Sequence, residues 1–95
     1  NLALTPTILM KLGIWLNESG QHQESIGTYN RLIKSDPQSP LVPKAYFQAA
    51  QVLHKGLQQT PKAQKILRGL IKKFPDHDIV PYAQDFLRQM TAAAG

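Results

Sequence analysis

Residues 9–37 read LMKLGIWLNESGQHQESIGTYNRLIKSDP, which is two helix-length segments on either side of Gly20. Apolar residues recur every three or four positions in both segments, at Leu9, Leu12, Leu16, Ile26, Tyr29, Leu32 and Ile33. This spacing is typical of helices that bury one face. Gly13 and Ser25 carry little side-chain bulk, so we expect them to lie together where the two helices cross. The stretch therefore predicts a helix–turn–helix unit.

Proline and glycine residues divide the rest of the chain in the same way. Together with the first two helices, these proline and glycine positions predict helical segments at residues 7–19, 24–34, 43–55, 60–73 and 81–90. Thr5 before Pro6 provides a cap and a first-turn proline for the first helix. The chain has no alternating apolar run and no Asn-Gly or Asp-Gly turn, so no strands are expected. The sequence predicts an all-α fold with short connections between neighbouring helices.

A five-residue motif occurs twice, as Leu41-Val42-Pro43-Lys44-Ala45 and as Ile79-Val80-Pro81-Tyr82-Ala83, at an interval of 38 residues. The same interval of 38 residues separates Pro37 from Pro75. Helix–turn–helix units that repeat at such a period are typical of an α-solenoid.

Residues 9–37 resemble one tetratricopeptide repeat, a helix–turn–helix unit of about 34 residues. Leu9 stands where the family commonly has tryptophan, Leu16 where it has tyrosine, and Ser25 where it has a small alanine. Residues 45–75 resemble a second unit that is longer, with two extra residues between Gly56 and Ala63 and two more in the turn between the units.

The resemblance implies an all-α solenoid of five helices, in which two hairpins are followed by a capping helix. The expected organisation is a linker at residues 1–5, a first repeat at 6–39, a second repeat at 40–77, a capping helix at 78–92 and a tail at 93–95. The Pro-rich turn at residues 37–45 also resembles turns in tetratricopeptide proteins of the bacterial cell envelope, which suggests a bacterial origin.

In this family the first helices of successive pairs line a concave groove that suits an extended peptide or a short helix. The resemblance places eight residues on the groove wall, namely Met10, Ile14, Asn17, Tyr46, Ala50, His54, Gln84 and Arg88. Tyr46, Met10 and Ile14 are the expected anchors for a protein or peptide partner. The alternative is that Met10 and Ile14 pack against a neighbouring helix. The family's clamp for a C-terminal carboxylate needs Lys and Asn at these two places, so that ligand is not expected.

The charge distribution favours a second function. The chain has 11 Lys and Arg residues against 6 Asp and Glu, a net charge of +5, and no acidic residue between Asp36 and Asp76. A basic stripe is predicted on the fourth helix, formed by Lys62, Lys65, Arg68, Lys72 and Lys73. Such a stripe could dock to nucleic acid or an anionic membrane surface, or it could be a solvated helix face. Because Phe74 is its only aromatic neighbour, a dedicated nucleic-acid reader is not expected. A structural spacer without a ligand is a third possibility.

Residues that could carry chemistry are few. The chain has no cysteine, and His22, His54 and His77 lack the spacing of metal ligands on one helix. The Asp76-His77-Asp78 trio precedes a helix, where carboxylates favour the helix dipole. No phosphate loop, nucleophile motif or carboxylate pair occurs. We therefore expect no catalytic residue, metal or cofactor, and no enzymatic activity.

Ile8 and Trp15 lie seven residues apart on a further face of the first helix. We expect this face to be covered by the Asn1–Leu4 segment, by an upstream segment, or by a second copy of the chain, and we favour the last two. Because the sequence begins with Asn1, we also expect it to be part of a longer protein. No apolar run approaches the ~20 residues that span a bilayer and no signal peptide is recognisable, so a soluble domain is expected. A cytoplasmic or a periplasmic location remains open.

Overall fold

The computed structural model describes residues 4–94 of the chain, with side chains described for residues 4–92. Its five α-helices are α1 (Pro6–Glu18), α2 (His22–Ser35), α3 (Val42–Gln51), α4 (Thr60–Lys73) and α5 (Val80–Ala94). No strand occurs between residues 4 and 94. Each helix packs mainly against the helices before and after it in the chain, which gives an elongated array of 49 × 31 × 16 Å. The predicted all-α repeat fold of five helices is confirmed.

The ends of α1 lie at the proline and glycine positions that the sequence indicated. The Thr5 Oγ1 atom accepts a hydrogen bond of 3.3 Å from the Ile8 backbone N–H, and Pro6 occupies the first turn, where its missing N–H is not needed. Gly20 adopts a φ of +82°, in the left-handed region that a residue with a side chain rarely enters. This conformation ends the first helix and turns the chain into α2.

The crossing of α1 and α2 depends on two small residues. The Ser25 hydroxyl donates a buried hydrogen bond of 2.6 Å to the Gly13 carbonyl oxygen. A Cβ atom at Gly13 would lie only 2.5 Å from Cε1 of the Tyr29 ring, so the ring occupies the space that glycine leaves free. The expectation that Gly13 and Ser25 meet at the crossing is confirmed.

The second hairpin differs from the first in its turn. After Gln51, α3 continues as one turn of π-helix, Val52–Gly56, in which the Leu57 N–H donates to the Val52 carbonyl over 3.0 Å. Gln58 then adopts a φ of +55° before α4 begins. The extra residues between Gly56 and Ala63 are accommodated by this wider turn.

The core consists of two apolar clusters that meet at α3. One joins the first three helices through Leu9, Met10, Tyr29, Leu32, Val42, Ala45, Ala49 and Val52. The other joins α3, α4 and α5 through Ala50, Leu53, Ala63, Leu67, Leu70, Val80, Ala83, Phe86 and Met90. Ile26 and Tyr46 pack against both clusters. The helices therefore form one continuous array in which α5 covers the second hairpin.

The apolar stripe of α1 is rotated from the sequence expectation. Leu9 is buried, but Leu12 is 37% exposed and Leu16 is half-buried. Met10 and Gly13 are buried in their place. The expected buried face of Leu9, Leu12 and Leu16 is therefore wrong for Leu12. The reason is that α1 packs mainly on α2, and Leu12 belongs to neither of the two apolar clusters.

Candidate functional site

The first group of predicted groove residues lies in the interior. Met10 is 6% exposed and Ala50 is fully buried, and each belongs to one of the two core clusters. Ile14 is half-buried and packs against the same cluster as Met10. The side chains of Met10 and Ala50 are therefore not available on a groove wall. The packing of Met10 and Ile14 in one cluster corresponds to the alternative interpretation of these two residues.

Tyr46, the expected central anchor, is half-buried and engaged by α4. Its ring lies 6.1 Å from the ring of Phe74, measured between centroids. The Lys73 ammonium donates a hydrogen bond of 3.2 Å to the Tyr46 hydroxyl and lies 5.6 Å from the ring centroid. Tyr46 thus links α3 to the C-terminal end of α4, which limits what it can offer to a partner.

Asn17 and His54 make contacts within the fold. Asn17 Oδ1 lies 2.7 Å from Nδ1 of His22, across the first turn. In the second hairpin, His54 Nδ1 lies 2.8 Å from Thr60 Oγ1 at the start of α4. The ring of His54 also packs edge-on against Phe86, with centroids 5.6 Å apart. Both predicted groove residues therefore hold the two turns in place.

Gln84 and Arg88, the last two predicted groove residues, are exposed on α5. Arg88 and Asp85 form the only ion pair among the described side chains, with Arg88 Nη2 3.3 Å from Asp85 Oδ1. The structure therefore does not bring the eight predicted residues together in one open groove.

An open pocket of about 190 Å³ lies between α3 and α5 instead. It is lined by Phe47, Gln51, Lys55, Tyr82, Asp85, Phe86 and Gln89. Phe47 and Phe86 meet edge-on with ring centroids 5.9 Å apart. Tyr82 is 66% exposed, the largest exposed fraction among the large hydrophobic side chains that the structure describes. We call this the α3–α5 pocket.

Polar groups surround the aromatic floor of the α3–α5 pocket. The Lys55 ammonium lies 6.0 Å from the centroid of the Phe86 ring. The Gln89 amide donates a hydrogen bond of 2.9 Å to Asp85 Oδ2. The pocket thus combines three aromatic rings, two glutamine amides and one charge of each sign.

Sequence reasoning missed the α3–α5 pocket although a signal was present. Phe47, Gln51 and Lys55 follow each other at intervals of four, which places them on one helix face. Tyr82 and Gln89 are seven residues apart and share a face of the final helix in the same way. If Leu41 and Ile79 are counted as equivalent, the two copies of the repeated five-residue motif differ only where Tyr82 replaces Lys44.

A larger pocket, of about 410 Å³, lies between α2 and α4. It is lined by Gln23, Ile26, Leu53, Gln59, Lys62, Lys65 and Ile66. We call this the α2–α4 pocket. It shares no lining residue with the α3–α5 pocket.

The structure divides the predicted basic stripe into parts. Lys62 and Lys65 line the α2–α4 pocket, whereas Lys73 contacts Tyr46. Arg68 and Lys72 are exposed on α4 between these two ends. The five basic residues therefore have three different surroundings along one helix.

A buried phenol lies beneath the first hairpin. Burial raises the pKa of Tyr29 above its ordinary value of 10.0, the neighbouring Ser25 hydroxyl opposes the shift, and the Glu18 carboxylate adds to it. The Ser25 hydroxyl donates its hydrogen to the Gly13 carbonyl oxygen, and the Tyr29 hydroxyl has no hydrogen-bond partner among the described residues. Its position inside the core makes it a packing group and not a surface reactant.

The predicted N-terminal contact face is open in the structure. Ile8 is 45% and Trp15 57% exposed, and Leu4 and Leu12 are exposed beside them in the sequence. Leu4 thus leaves the indole open to solvent, while Leu2, the other leucine expected to cover it, lies outside the described residues.

The described part of the chain contains no group of three or more His, Asp or Glu side chains that could hold a metal ion. None of its helices combines the length and the apolar character needed to cross a bilayer.

Comparison with known proteins identifies the family. No curated protein and no solved structure matches the chain. The family profile described as tetratricopeptide repeat matches residues 8–39 and residues 44–77, which together make up more than half of the chain. The two matches correspond to α1 with α2 and to α3 with α4. Repeats of this family generally mediate protein–protein interactions, and the chain belongs to the tetratricopeptide repeat family.

Proposed function

We propose that this protein is a non-catalytic interaction module that binds a peptide or a partner helix at the α3–α5 pocket. The observation that carries the proposal is an aromatic pocket that opens to solvent between the first helix of the second repeat and the capping helix. Aromatic side chains are enriched where proteins bind each other, compared with the rest of the protein surface.

The α3–α5 pocket is small, with a volume of about 190 Å³. A single apolar side chain of a partner fits this volume and would contact Phe47 and Phe86. The amides of Gln51 and Gln89 can then pair with the backbone of an extended peptide.

The proposed anchors differ from those suggested by the sequence. Met10 is buried in the core, and Tyr46 is half-buried with its hydroxyl in contact with Lys73. Tyr82 and Phe47 take their place in the proposal, because both line the pocket. Tyrosine is among the residues that most often dominate binding energy at interfaces.

Selection from a displayed peptide library tests the proposal. Peptides selected on the wild-type domain are measured by fluorescence anisotropy against Tyr82→Ala and against Gln84→Ala. Both residues are exposed on α5, but only Tyr82 lines the pocket. Removing an anchor typically costs about 2 kcal/mol, or about 30-fold in Kd, so Tyr82→Ala should weaken binding by this amount and Gln84→Ala should not.

Salt dependence separates this function from electrostatic docking. Contacts in the aromatic pocket should persist in about 0.3 M salt, because screening acts mainly on exposed charges. Binding to phosphates should instead fall steeply with the logarithm of salt concentration. Selected peptides that bind Tyr82→Ala as tightly as wild type, or that are released by this salt concentration, would contradict the proposal.

A further inference from the structure

The α2–α4 pocket has an apolar floor beneath a basic rim. Ile26, Leu53 and Ile66 come from α2, the π-turn and α4, and Leu53 belongs to the buried core beneath. Lys62 and Lys65 contribute the cations of the lining, and Gln23 and Gln59 contribute amides. The lining contains no carboxylate and no aromatic ring. The pocket can therefore contact an apolar group and a negative charge at the same time.

The start of α4 concentrates positive potential beside this pocket. The N-terminal end of a helix carries a partial positive charge that carboxylates normally offset. The first turn of α4 contains no acidic residue, and Gln59 makes no capping hydrogen bond with its side chain. Lys62 lies in this turn, so its positive charge adds to the partial positive charge at the helix end, whereas an acidic residue would offset it. A carboxylate of a bound ligand would offset the repulsion between the Lys62 ammonium and the positive end of the helix dipole.

The cations of the α2–α4 pocket form no ion pair with any other described side chain. Among the described side chains, the only ion pair joins Arg88 and Asp85 on α5. The sequence offers no acidic residue between Asp36 and Asp76. Lys62 and Lys65 therefore keep their charges available to a ligand.

We propose that the α2–α4 pocket is a second docking site, which binds an acidic segment of a partner protein that inserts an apolar side chain. The basic rim complements the carboxylates, and the floor of Ile26, Leu53 and Ile66 receives the apolar side chain. A nucleic acid would use only the charges, because the lining offers no aromatic ring on which a base could stack. The two pockets share no lining residue, so this proposal can be tested separately from the proposed α3–α5 function.

The test uses a fluorescein-labelled helical peptide that presents Glu and Leu side chains on one face. Two control peptides replace either every Leu with Ser or every Glu with Gln. Binding is measured by anisotropy to the wild type, to Lys62→Glu/Lys65→Glu, and to Lys11→Glu/Lys44→Glu. The last variant has the same net charge as the pocket variant, but its changes lie at exposed positions on α1 and α3. Circular dichroism confirms that each variant keeps its helices.

The proposal expects the Glu/Leu peptide to bind the wild type and both control peptides to bind at least about tenfold more weakly. Lys62→Glu/Lys65→Glu should lose about tenfold or more in affinity, while Lys11→Glu/Lys44→Glu should lose only the smaller effect of net charge. Tyr82→Ala should leave this binding unchanged, which separates it from the α3–α5 proposal. Equal losses in the two charge variants, equal binding of the Ser peptide, or no binding of the Glu/Leu peptide would overturn the proposal. Tighter binding of oligothymidylate or of vesicles containing phosphatidylglycerol would also overturn it.

Discussion

Replacing Gly13 with alanine tests the helix crossing on which the first repeat depends. A Cβ atom at this position would lie 2.5 Å from Cε1 and 2.7 Å from Cζ of Tyr29. These distances are too short for a contact, and the Tyr29 ring is fully buried, so it can move only by disturbing the core. Overpacking of this kind typically costs about 1–3 kcal/mol.

A matched substitution isolates the cost of the collision. Gly27 lies within α2, and a Cβ atom there would meet nothing within 4 Å. Alanine in a helix is more favourable than glycine by about 0.5–1 kcal/mol. We therefore expect Gly27→Ala to raise the free energy of unfolding by about 0.5–1 kcal/mol. Gly13→Ala gains the same helix propensity but pays for the collision, so we expect it to lower that free energy by about 1 kcal/mol.

Urea and thermal unfolding followed by far-ultraviolet circular dichroism measure the difference. A gap of about 2 kcal/mol between the two variants corresponds to about 8–16 °C in Tm for a domain of this size. Adding Tyr29→Leu to Gly13→Ala removes the distal ring atoms, so the double variant should be more stable than the sum of the single changes predicts. If both glycine variants gain stability equally, Tyr29 does not pack against Gly13 and the described crossing is wrong.

Three further predictions follow from individual side chains. Tyr29→Phe removes a buried hydroxyl without a partner among the described residues, so the free energy of unfolding at pH 7 should stay constant or rise by up to about 1 kcal/mol. Because burial raises the folded-state pKa of Tyr29 above 10.0, its contribution is complete below pH 10 and is lost above it, and urea titrations should show wild type weakening relative to Tyr29→Phe at higher pH. Gln58→Gly should raise the free energy of unfolding by about 0.5–1 kcal/mol in the same assay, since a φ of +55° costs a residue with a side chain more than it costs glycine. If two copies of the chain pair through Ile8 and Trp15, Trp15 fluorescence should be protected at high protein concentration and become quenchable on dilution, whereas quenchable emission at every concentration would exclude the covered face.

The helices and their closest crossing could be predicted because they depend on local sequence. Pro6 and Gly20 begin and end α1 through their own backbone chemistry. The contact between Gly13 and Ser25 follows from two small residues on facing helices. These features need no knowledge of the rest of the array.

The exposed surface could not be predicted in the same way, because it depends on how successive hairpins are rotated against each other. Met10 lies on α1 but is buried in the cluster that joins α1, α2 and α3. Leu12 fits the family's core pattern and is nevertheless exposed. The π-turn is a similar case, since the two extra residues after Gly56 reveal that the turn is longer but not which backbone accommodates them.

The two pockets occupy different helices, and this separation has a consequence for how the module could work. The α3–α5 pocket lies on two helices that each begin at a copy of the repeated five-residue motif, whereas the α2–α4 pocket lies mainly on the second helices of the two hairpins. In a repeat array each unit contacts mainly its neighbours, so both pockets form where one unit packs against the next. If both proposals hold, one chain can bind an apolar anchor through Tyr82 and an acidic segment through Lys62 and Lys65 at the same time. The two sites share no lining residue. When Tyr82→Ala and Lys62→Glu/Lys65→Glu are combined, the loss of binding free energy for each peptide should therefore equal the loss in the corresponding single-site variant. Such a module would hold two proteins together without any chemistry of its own.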